Sequence, residues 1–254
     1  MGSIGNNLQE VKRRIAAACV GAGRVANILT QSADFGTSNG VTLLAVSKTF
    51  GDAAVREAHA AGQRAFGENY VQEALAKIAS LSDLRPDIEW HLVGPLQGNK
   101  TKPVAEAFDW VHSVDRLKIA ERLAAQRPAW LPPLNLCLQV NISGESSKSG
   151  VLPQDVAALA HAVAALPRER VRLRGLMAIP EPAADFDAQR LPHRRLHELL
   201  AALQREGLIL DTLSMGMSAD LEAAVAEGAT IVRVGTALFG GRPRRTALDS
   251  LTPP

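Results

Sequence analysis

The chain has 254 residues and a formal net charge of +2, with 46% hydrophobic and 21% charged residues. This composition is that of a globular protein with a large core, and the near-balanced charge argues against nucleic acid or an anionic membrane as a partner. Cys19 and Cys137 lack metal-ligand or disulfide spacing, and no run reaches the roughly 18 apolar residues that span a bilayer. Because the start has no apolar signal segment, we expect a cytoplasmic protein.

Helical periodicity covers about 4–30, and then short β-rich runs alternate with longer segments of helical spacing. Helices are predicted, for example, at 52–62, 114–126, 153–166 and 218–228. Strands alternating with helices pair in parallel through right-handed crossovers, and eight such units in 254 residues favour a closed (β/α)8 barrel. The eight predicted strands are 41–47, 64–68, 88–94, 109–114, 134–142, 171–179, 211–217 and 230–239.

A doubly wound open sheet is the alternative architecture. The first βα turn, SKTFGD, lacks the GxGxxG pattern of a dinucleotide-binding fold and disfavours it. We therefore predict an α/β protein with one TIM-barrel domain at 1–241, including the N-terminal helix, and a loose, Pro-rich tail at 242–254. No second domain is expected.

A lysine, Lys48, ends the apolar run VTLLAV of the first predicted strand. Barrels bind ligands at the carboxyl ends of their strands, so Lys48 is predicted to reach the barrel mouth. Partial burial lowers the pKa of a lysine and exposes a nucleophilic amine, which is what an imine with an aldehyde requires. The alternative is a lysine that only extends its ammonium group to solvent at a strand terminus.

The ends of the last two predicted strands carry an anion-binding pattern. Gly235 and Thr236 follow strand eight, while Gly216 and Ser218 follow strand seven. Backbone amides approach an anion closely at a glycine, a threonine hydroxyl adds a donor, and Ser218 fits a helix N-cap. Loops after strands seven and eight often hold phosphate in barrels, so we predict a phosphate cup. Ser218 acting only as a cap is the alternative.

An arginine, Arg233, precedes Gly235 by two residues and so shares its strand face, which is either the barrel interior or the helix layer. Inside the barrel its charge requires a partner, for which a ligand ring nitrogen would serve. On the outside, a surface carboxylate would pair with it.

Several further side chains have two readings each. Asn69 in FGENY either contacts a ligand or caps the next helix, and His91 and His112 are core histidines or, less often, catalysts. His193 and His197 have an i,i+4 metal spacing without a third ligand, which favours a solvated helix face. A phosphate cup, an imine-forming lysine and an arginine for a ring nitrogen together describe a site for pyridoxal 5′-phosphate.

These residues lie in long sequence blocks that resemble the pyridoxal phosphate homeostasis proteins, single-domain relatives of the alanine racemase N-terminal barrel. The resemblance covers about residues 8–241. The blocks are LLAVSKTF, RAFGENYVQEALAKI, EWHLVGPLQGNK, VNISGESSKSG, LRGLMAIP and LSMGMSADLEAAVAEGATIVRVGTALFG.

The resemblance implies a barrel that binds pyridoxal 5′-phosphate as a Schiff base on Lys48. It also implies an arginine at Arg233 facing the pyridine nitrogen, an asparagine at Asn69 beside the cofactor, and a secondary role in cofactor handling for Lys148. The phosphate-binding positions match Ser218, Gly235 and Thr236, with Gly216 and Met217 beside them.

One departure from the family is visible next to the lysine. Relatives usually carry Lys-Pro after the Ser-Lys-Thr block, whereas this chain has Phe50-Gly51. The change alters the loop beside the cofactor and leaves Lys48 in place.

Two functions follow from the resemblance. The first is a carrier that holds or delivers the cofactor to apo-enzymes without substantial turnover, with a monomer as the default state. The second is a small amino-acid racemase, which needs a second base on the opposite face of the substrate. Tyr70 or His91 would have to supply it, because the racemase tyrosine comes from a second domain that we do not expect here. A protein-interaction scaffold with an incidental cofactor is a third class.

Overall fold

The computed structural model describes residues 3–31, 40–145 and 148–241; the predicted tail at 242–254 lies outside them. The strands of this part form one parallel sheet, and pairing of β2 with β9 closes β2–β9 into an eight-stranded barrel. The bounds are β1 (Ile28–Leu29), β2 (Val41–Val46), β3 (Ala65–Glu68), β4 (Glu89–Leu92), β5 (Trp110–Val114), β6 (Leu134–Gln139), β7 (Val171–Met177), β8 (Thr212–Ser214) and β9 (Ile231–Val234).

Helices follow the barrel strands and surround the sheet, which confirms the predicted TIM barrel. Each of β2–β8 is followed by one α-helix before the next strand. No helix in the described ranges is long and apolar enough to cross a membrane. The bounds are α1 (Ile4–Gly21), α2 (Asp52–Ala60), α3 (Val71–Ser80), α4 (Thr101–Ala107), α5 (Leu117–Gln126), α6 (Val156–Ala164), α7 (Phe186–Arg205), α8 (Leu221–Ala226) and α9 (Thr236–Phe239).

Two predicted boundaries differ from the structure by five or more residues. The N-terminal helix ends at Gly21 rather than near 30, because Gly23 adopts φ +67 and the chain then pairs β1 with β2. The eighth barrel strand ends at Val234 rather than 239, because Gly235 turns the chain into the short helix α9. In both cases a glycine ends the element inside an apolar run.

Apolar side chains fill two separate regions. Leu43 and Ala45 of β2 join the main core between barrel and helices, whereas Leu44 belongs to a separate cluster with Ala65, Val93 and Ile231. Since neighbouring residues of a strand face opposite sides, the second cluster lies inside the barrel. The carboxyl ends of β2–β9 form the mouth of the barrel, and their amino ends form its base.

Candidate functional site at the barrel mouth

The lysine singled out from the sequence lies in a turn at the mouth. β2 ends at Val46, and Lys48 is half-buried in the turn that follows. Leu44 of β2 faces the barrel interior, and the turn of Lys48 follows the carboxyl end of that strand. Its neighbour Thr49 has φ +68, a left-handed conformation that β-branched residues rarely adopt. The turn is therefore held in a strained form.

A cluster on the outer side of the barrel holds this turn, and we call it the outer clamp: Ser47, Thr49, Glu68, Glu73 and Lys77. Lys77 Nζ donates to Ser47 O at 2.9 Å and lies 2.5 Å from Glu68 Oε1, which also accepts from Ser47 Oγ at 2.6 Å. Glu73 Oε1 accepts from the Thr49 amide at 2.7 Å. The clamp thus bonds to the residues on both sides of Lys48.

Burial governs the electrostatics of the outer clamp. It raises the pKa of Glu68, and the contacts from Lys77 and Ser47 oppose that effect. Both side chains of the Glu68–Lys77 pair are almost inaccessible to solvent. A buried ion pair of this kind is costly to break, because the partner left behind remains charged.

Arg233 faces the barrel interior, which is one of the two positions that the sequence left open. Its guanidinium is buried, Nη1 donates to Ser214 O and Oγ at 2.6 and 2.8 Å, and Nη2 donates to Ala178 O at 2.8 Å. Burial lowers the pKa of Arg233 to about 10. No carboxylate of the described ranges forms a salt bridge with it. The predicted surface carboxylate partner is therefore excluded within that part of the chain.

The loop between β8 and α8 carries Gly216, Met217 and Ser218. Gly216 has φ +89, and a Cβ there would lie 2.4 Å from Ala224 Cβ, so only glycine fits. The prediction that Ser218 is an N-cap was wrong, since α8 begins at Leu221 and Asp220 is the residue before it. Ser218 lies instead in the preceding turn, half-buried beside the mouth.

Two side chains that the sequence reasoning missed, Asp220 and Arg14, support this loop. Asp220 Oδ1 accepts from the Met217 amide at 2.7 Å, and its Oδ2 lies 3.0 Å from His193 Nε2. Arg14 of α1 donates to Ser218 O at 3.0 Å and pairs with Glu222. Local sequence carries no sign of these contacts, because α1 and α7 are distant in the chain.

The predicted solvated face is confirmed for His197, which is exposed, and wrong for His193, which is buried. His193 is fully buried against Asp220, and His197 Nδ1 lies 2.8 Å from Glu227 O. Both histidines therefore join α7 to the α8 region, and within the described residues no group of three or more His, Cys, Asp or Glu side chains could hold a metal.

Gly235 and Thr236 lie beside the lysine turn. β2 and β9 pair with Ala45 opposite Val234, and a Cβ on Gly235 would lie 3.1 Å from Val46 O. Thr236 begins α9 and is exposed. The strand pairing therefore brings the two predicted phosphate residues next to the turn of Lys48.

The departure at Phe50 has a structural consequence. Its ring stacks on Phe239 of α9, with centroids 5.2 Å apart and an angle of 28° between the planes. Gly51 precedes α2 as its N-cap residue. Phe50 thus ties the lysine turn to the helix that starts at Thr236.

On the other side of β2, Asn69 follows β3 at the mouth. The helix-cap reading of Asn69 was wrong, because Tyr70 is the residue before α3 and Tyr70 O accepts from the Ala74 amide. Gly94 packs against the Asn69 backbone so closely that a Cβ would lie 2.1 Å from Asn69 O. Asn69 is half-buried at the mouth.

The remaining candidates do not share the mouth. Lys148 is exposed in the long connection after β6, of which residues 146 and 147 lie outside the described ranges. His91 and His112 are fully buried inside the barrel, where they contact each other at 2.9 Å. The mouth therefore combines Lys48, Asn69, Arg233 and the loops after β8 and β9.

Comparisons with known proteins first define the class. Residues 26–243 match the sequence model of the alanine racemase N-terminal domain. The structure is also similar to PipY of Synechococcus elongatus solved with PLP bound, with a TM-score of 0.72, 46% identity, and coverage of 79% of this chain and 92% of that one.

Curated relatives then identify the family within that class. The pyridoxal phosphate homeostasis protein of Pseudomonas aeruginosa is 61% identical over 95% of this chain and 97% of its own length. The one of Escherichia coli K12 is 50% identical over 95% and 98%. The chain therefore belongs to the pyridoxal phosphate homeostasis proteins, as the resemblance predicted.

Proposed function

We propose that this protein binds pyridoxal 5′-phosphate at the barrel mouth and holds it for vitamin B6 homeostasis. The observation that carries the proposal is the buried, cationic Arg233, which lies beneath the mouth with no carboxylate partner in the described ranges. A ligand ring nitrogen supplies an acceptor for such a group. The PLP-bound structure of PipY, a relative at 46% identity, supports the same ligand.

The residues at the mouth fit this cofactor. When bound, it supplies an aldehyde that condenses with an amine with release of water, a pyridine nitrogen and a phosphate. Lys48 would provide the amine, Asn69 would lie beside the ring, and the glycines leave room for the phosphate. The phosphate residues would be Gly216, Met217, Ser218, Gly235 and Thr236.

Arg233 sets the protonation state of the ring nitrogen in this arrangement. With a pKa of about 10 it remains charged at neutral pH, so it can donate a hydrogen bond but cannot accept one. The ring nitrogen must then accept, and it stays unprotonated. This weakens the cofactor as an electron sink and favours holding the aldehyde over turnover.

The cofactor proposal is tested by the spectrum of the purified protein with added pyridoxal 5′-phosphate. We expect an absorbance band near the visible edge that disappears on borohydride reduction, with the label on Lys48. Lys48→Ala should abolish the band, whereas Lys118→Ala, which removes an exposed lysine of α5, should retain it. A wild-type protein that takes up no cofactor contradicts the proposal.

We propose further that the protein does not substantially turn over amino acids. Both ring nitrogens of His91 contact other side chains inside the barrel, so His91 is not available as a second base. The curated relatives are named as homeostasis proteins. Rapid α-hydrogen exchange of L-amino acids in deuterated water, abolished by Lys48→Ala, would instead support the racemase.

The carrier role also includes partners, which we propose as apo-enzymes that receive the cofactor from a monomeric, cytoplasmic protein. The two described cysteines are buried and free, in keeping with a reducing compartment. Lys148, which is exposed in the connection after β6, would assist transfer. Lys148→Ala should slow reactivation of an apo-enzyme by the loaded protein without changing the absorbance band.

A further inference from the structure

A continuous line of hydrogen bonds runs through the barrel interior, and we call it the inner relay: Arg233, Ser214, His112, His91 and Glu89. Arg233 Nη1 donates to Ser214 Oγ at 2.8 Å, which lies 2.8 Å from His112 Nδ1. His112 Nε2 lies 2.9 Å from His91 Nδ1, and His91 Nε2 lies 3.1 Å from Glu89 Oε2. Four hydrogen bonds thus join a buried cation to a carboxylate.

The inner relay leads from the mouth to the base. Glu89 is the first residue of β4, and its side chain is 18% exposed beside a pocket of about 280 Å³ at the base. Ser214, His112 and His91 are completely inaccessible to solvent. Water therefore cannot replace any partner along the middle of the line.

The carboxylate end fixes where the protons lie. Glu89 Oε1 accepts from Trp110 Nε1 at 2.8 Å, and a carboxylate can only accept. His91 Nε2 must then carry a hydrogen and donate it to Glu89 Oε2. A neutral His91 consequently has an unprotonated Nδ1, which can accept.

The remaining steps follow in the same direction. His112 Nε2 donates to His91 Nδ1, so a neutral His112 accepts at Nδ1 from the Ser214 hydroxyl. The Ser214 oxygen still accepts from Arg233. Every group is satisfied when both histidines are neutral and carry hydrogen at Nε2.

The opposite direction fails on two counts. It would set the lone pair of His91 Nε2 against the Glu89 carboxylate, and it would leave the Ser214 hydroxyl hydrogen without its histidine acceptor. A cationic His112 is also disfavoured, because burial, together with the neighbouring His91 and Arg233, holds its pKa well below the usual value.

We propose that the inner relay is a directed line of hydrogen bonds in which Glu89 at the base sets the tautomers of His91 and His112 and thereby positions Arg233 for its ligand. Ser214, His112, His91 and Glu89 are positioning residues in this role, because they act on the ligand through Arg233. The link to the ligand rests on the proposed binding of pyridoxal 5′-phosphate; the proton order does not.

The proton order is tested in the ligand-free protein by ¹⁵N NMR of the imidazole nitrogens. The chain has six histidines, so single His→Gln variants assign the signals. We expect hydrogen at Nε2 of both His91 and His112. Hydrogen at Nδ1 of His112 overturns the proposal.

Glu89→Gln tests whether the base controls the whole line. With its oxygen accepting from Trp110, the new amide presents N–H to His91 Nε2, which must then accept. We expect both histidines to switch to hydrogen at Nδ1. A switch confined to His91 would show that the line is not coupled and overturns the proposal, and the wild-type spectrum decides the direction if this variant does not fold.

Ser214→Ala tests the connection to the ligand, with Ser113→Ala as its matched control. Ser113 is also a buried barrel serine, but its Oγ has no hydrogen-bond partner within the described residues. We expect Ser214→Ala to weaken binding of pyridoxal 5′-phosphate about tenfold and to shift the ¹⁵N signal of His112 Nδ1. Ser113→Ala should do neither.

The possible failures are distinguishable. If wild-type protein does not bind pyridoxal 5′-phosphate, the proposed function fails, while the NMR result still decides the proton order. If wild type binds and Ser214→Ala binds equally well, the positioning role of the relay is overturned.

Discussion

The outer clamp and the inner relay both bury charged groups next to the mouth, but they satisfy those charges differently. In the outer clamp, Lys77 and Glu68 contact each other directly at 2.5 Å. In the inner relay, Arg233 is held by neutral oxygens and reaches a carboxylate only through three intervening side chains. The direct pair shapes the backbone around Lys48, whereas the relay leaves a cation available to a ligand. We therefore expect the clamp to dominate stability and the relay to dominate recognition.

The largest effect on stability should come from Lys77→Met. The variant leaves Glu68 buried without its ion-pair partner, and breaking such a pair costs about 3–5 kcal/mol. The free energy of unfolding in urea measures the loss, with exposed Lys118→Met as the control. Adding Glu68→Gln should recover part of it, since no charge then remains to be buried. A cost below about 1 kcal/mol would place the outer clamp among weak surface pairs.

The loss in Lys77→Met should also grow with pH. Burial raises the pKa of Glu68, and without Lys77 less opposes that effect. Above the ordinary carboxyl pKa of 4.5, the folded state of the variant then binds more protons at Glu68 than the unfolded state does. The free energy of unfolding therefore falls by up to about 1.4 kcal/mol per pH unit until the pH passes the pKa of Glu68 in the folded state. Unfolding at pH 5 and pH 8 checks this. The double variant with Glu68→Gln should lack this component of the pH dependence.

A smaller stability effect but a larger binding effect is expected for Arg233→Met. The change leaves the neutral acceptors Ser214 O and Ala178 O unpaired, which costs about 1–3 kcal/mol, and it strands no charge. Affinity for pyridoxal 5′-phosphate should fall at least about tenfold. Urea unfolding should show the larger loss of stability in Lys77→Met. Titration with the cofactor should show the larger loss of affinity in Arg233→Met. The same ranking in both measurements would contradict the comparison between clamp and relay.

Sequence reasoning predicted the part of the molecule that strand periodicity and strand ends determine. The eight barrel strands and the placement of Lys48 at the mouth follow from local pattern. For Arg233, the pattern left two strand faces open, and the structure shows which one it occupies. The hydrogen-bond partners of the buried polar residues could not be predicted. In the sequence, Lys77 resembles any other helix residue, and its contact with Ser47 depends on how α3 packs against β2. Likewise, Ser214 and His112 are 102 residues apart. Their contact exists only because the sheet closes.

The stacking of Phe50 on Phe239 couples the lysine turn to α9. Phe50→Lys introduces the residue type that the resemblance implies at this position and should cost about 0.5–1.5 kcal/mol beyond the loss of buried area. We expect faster release of pyridoxal 5′-phosphate as well. A double-mutant cycle with Phe239→Leu separates the ring contact from the two single effects. Additive losses would mean that the rings do not couple the turn to α9.

The smallest effect, and the only expected gain, concerns the strain at Thr49. Glycine adopts φ +68 without the steric cost that a β-branched residue meets there, although it loses more entropy on folding. Thr49→Gly should therefore stabilise the protein by about 0.5–1 kcal/mol in urea unfolding, since its amide can still donate to Glu73. Ser143→Gly, at an exposed loop position without positive φ, should be destabilising. If both substitutions destabilise equally, the outer clamp holds the turn without strain, and the contrast with the inner relay lies in charge alone.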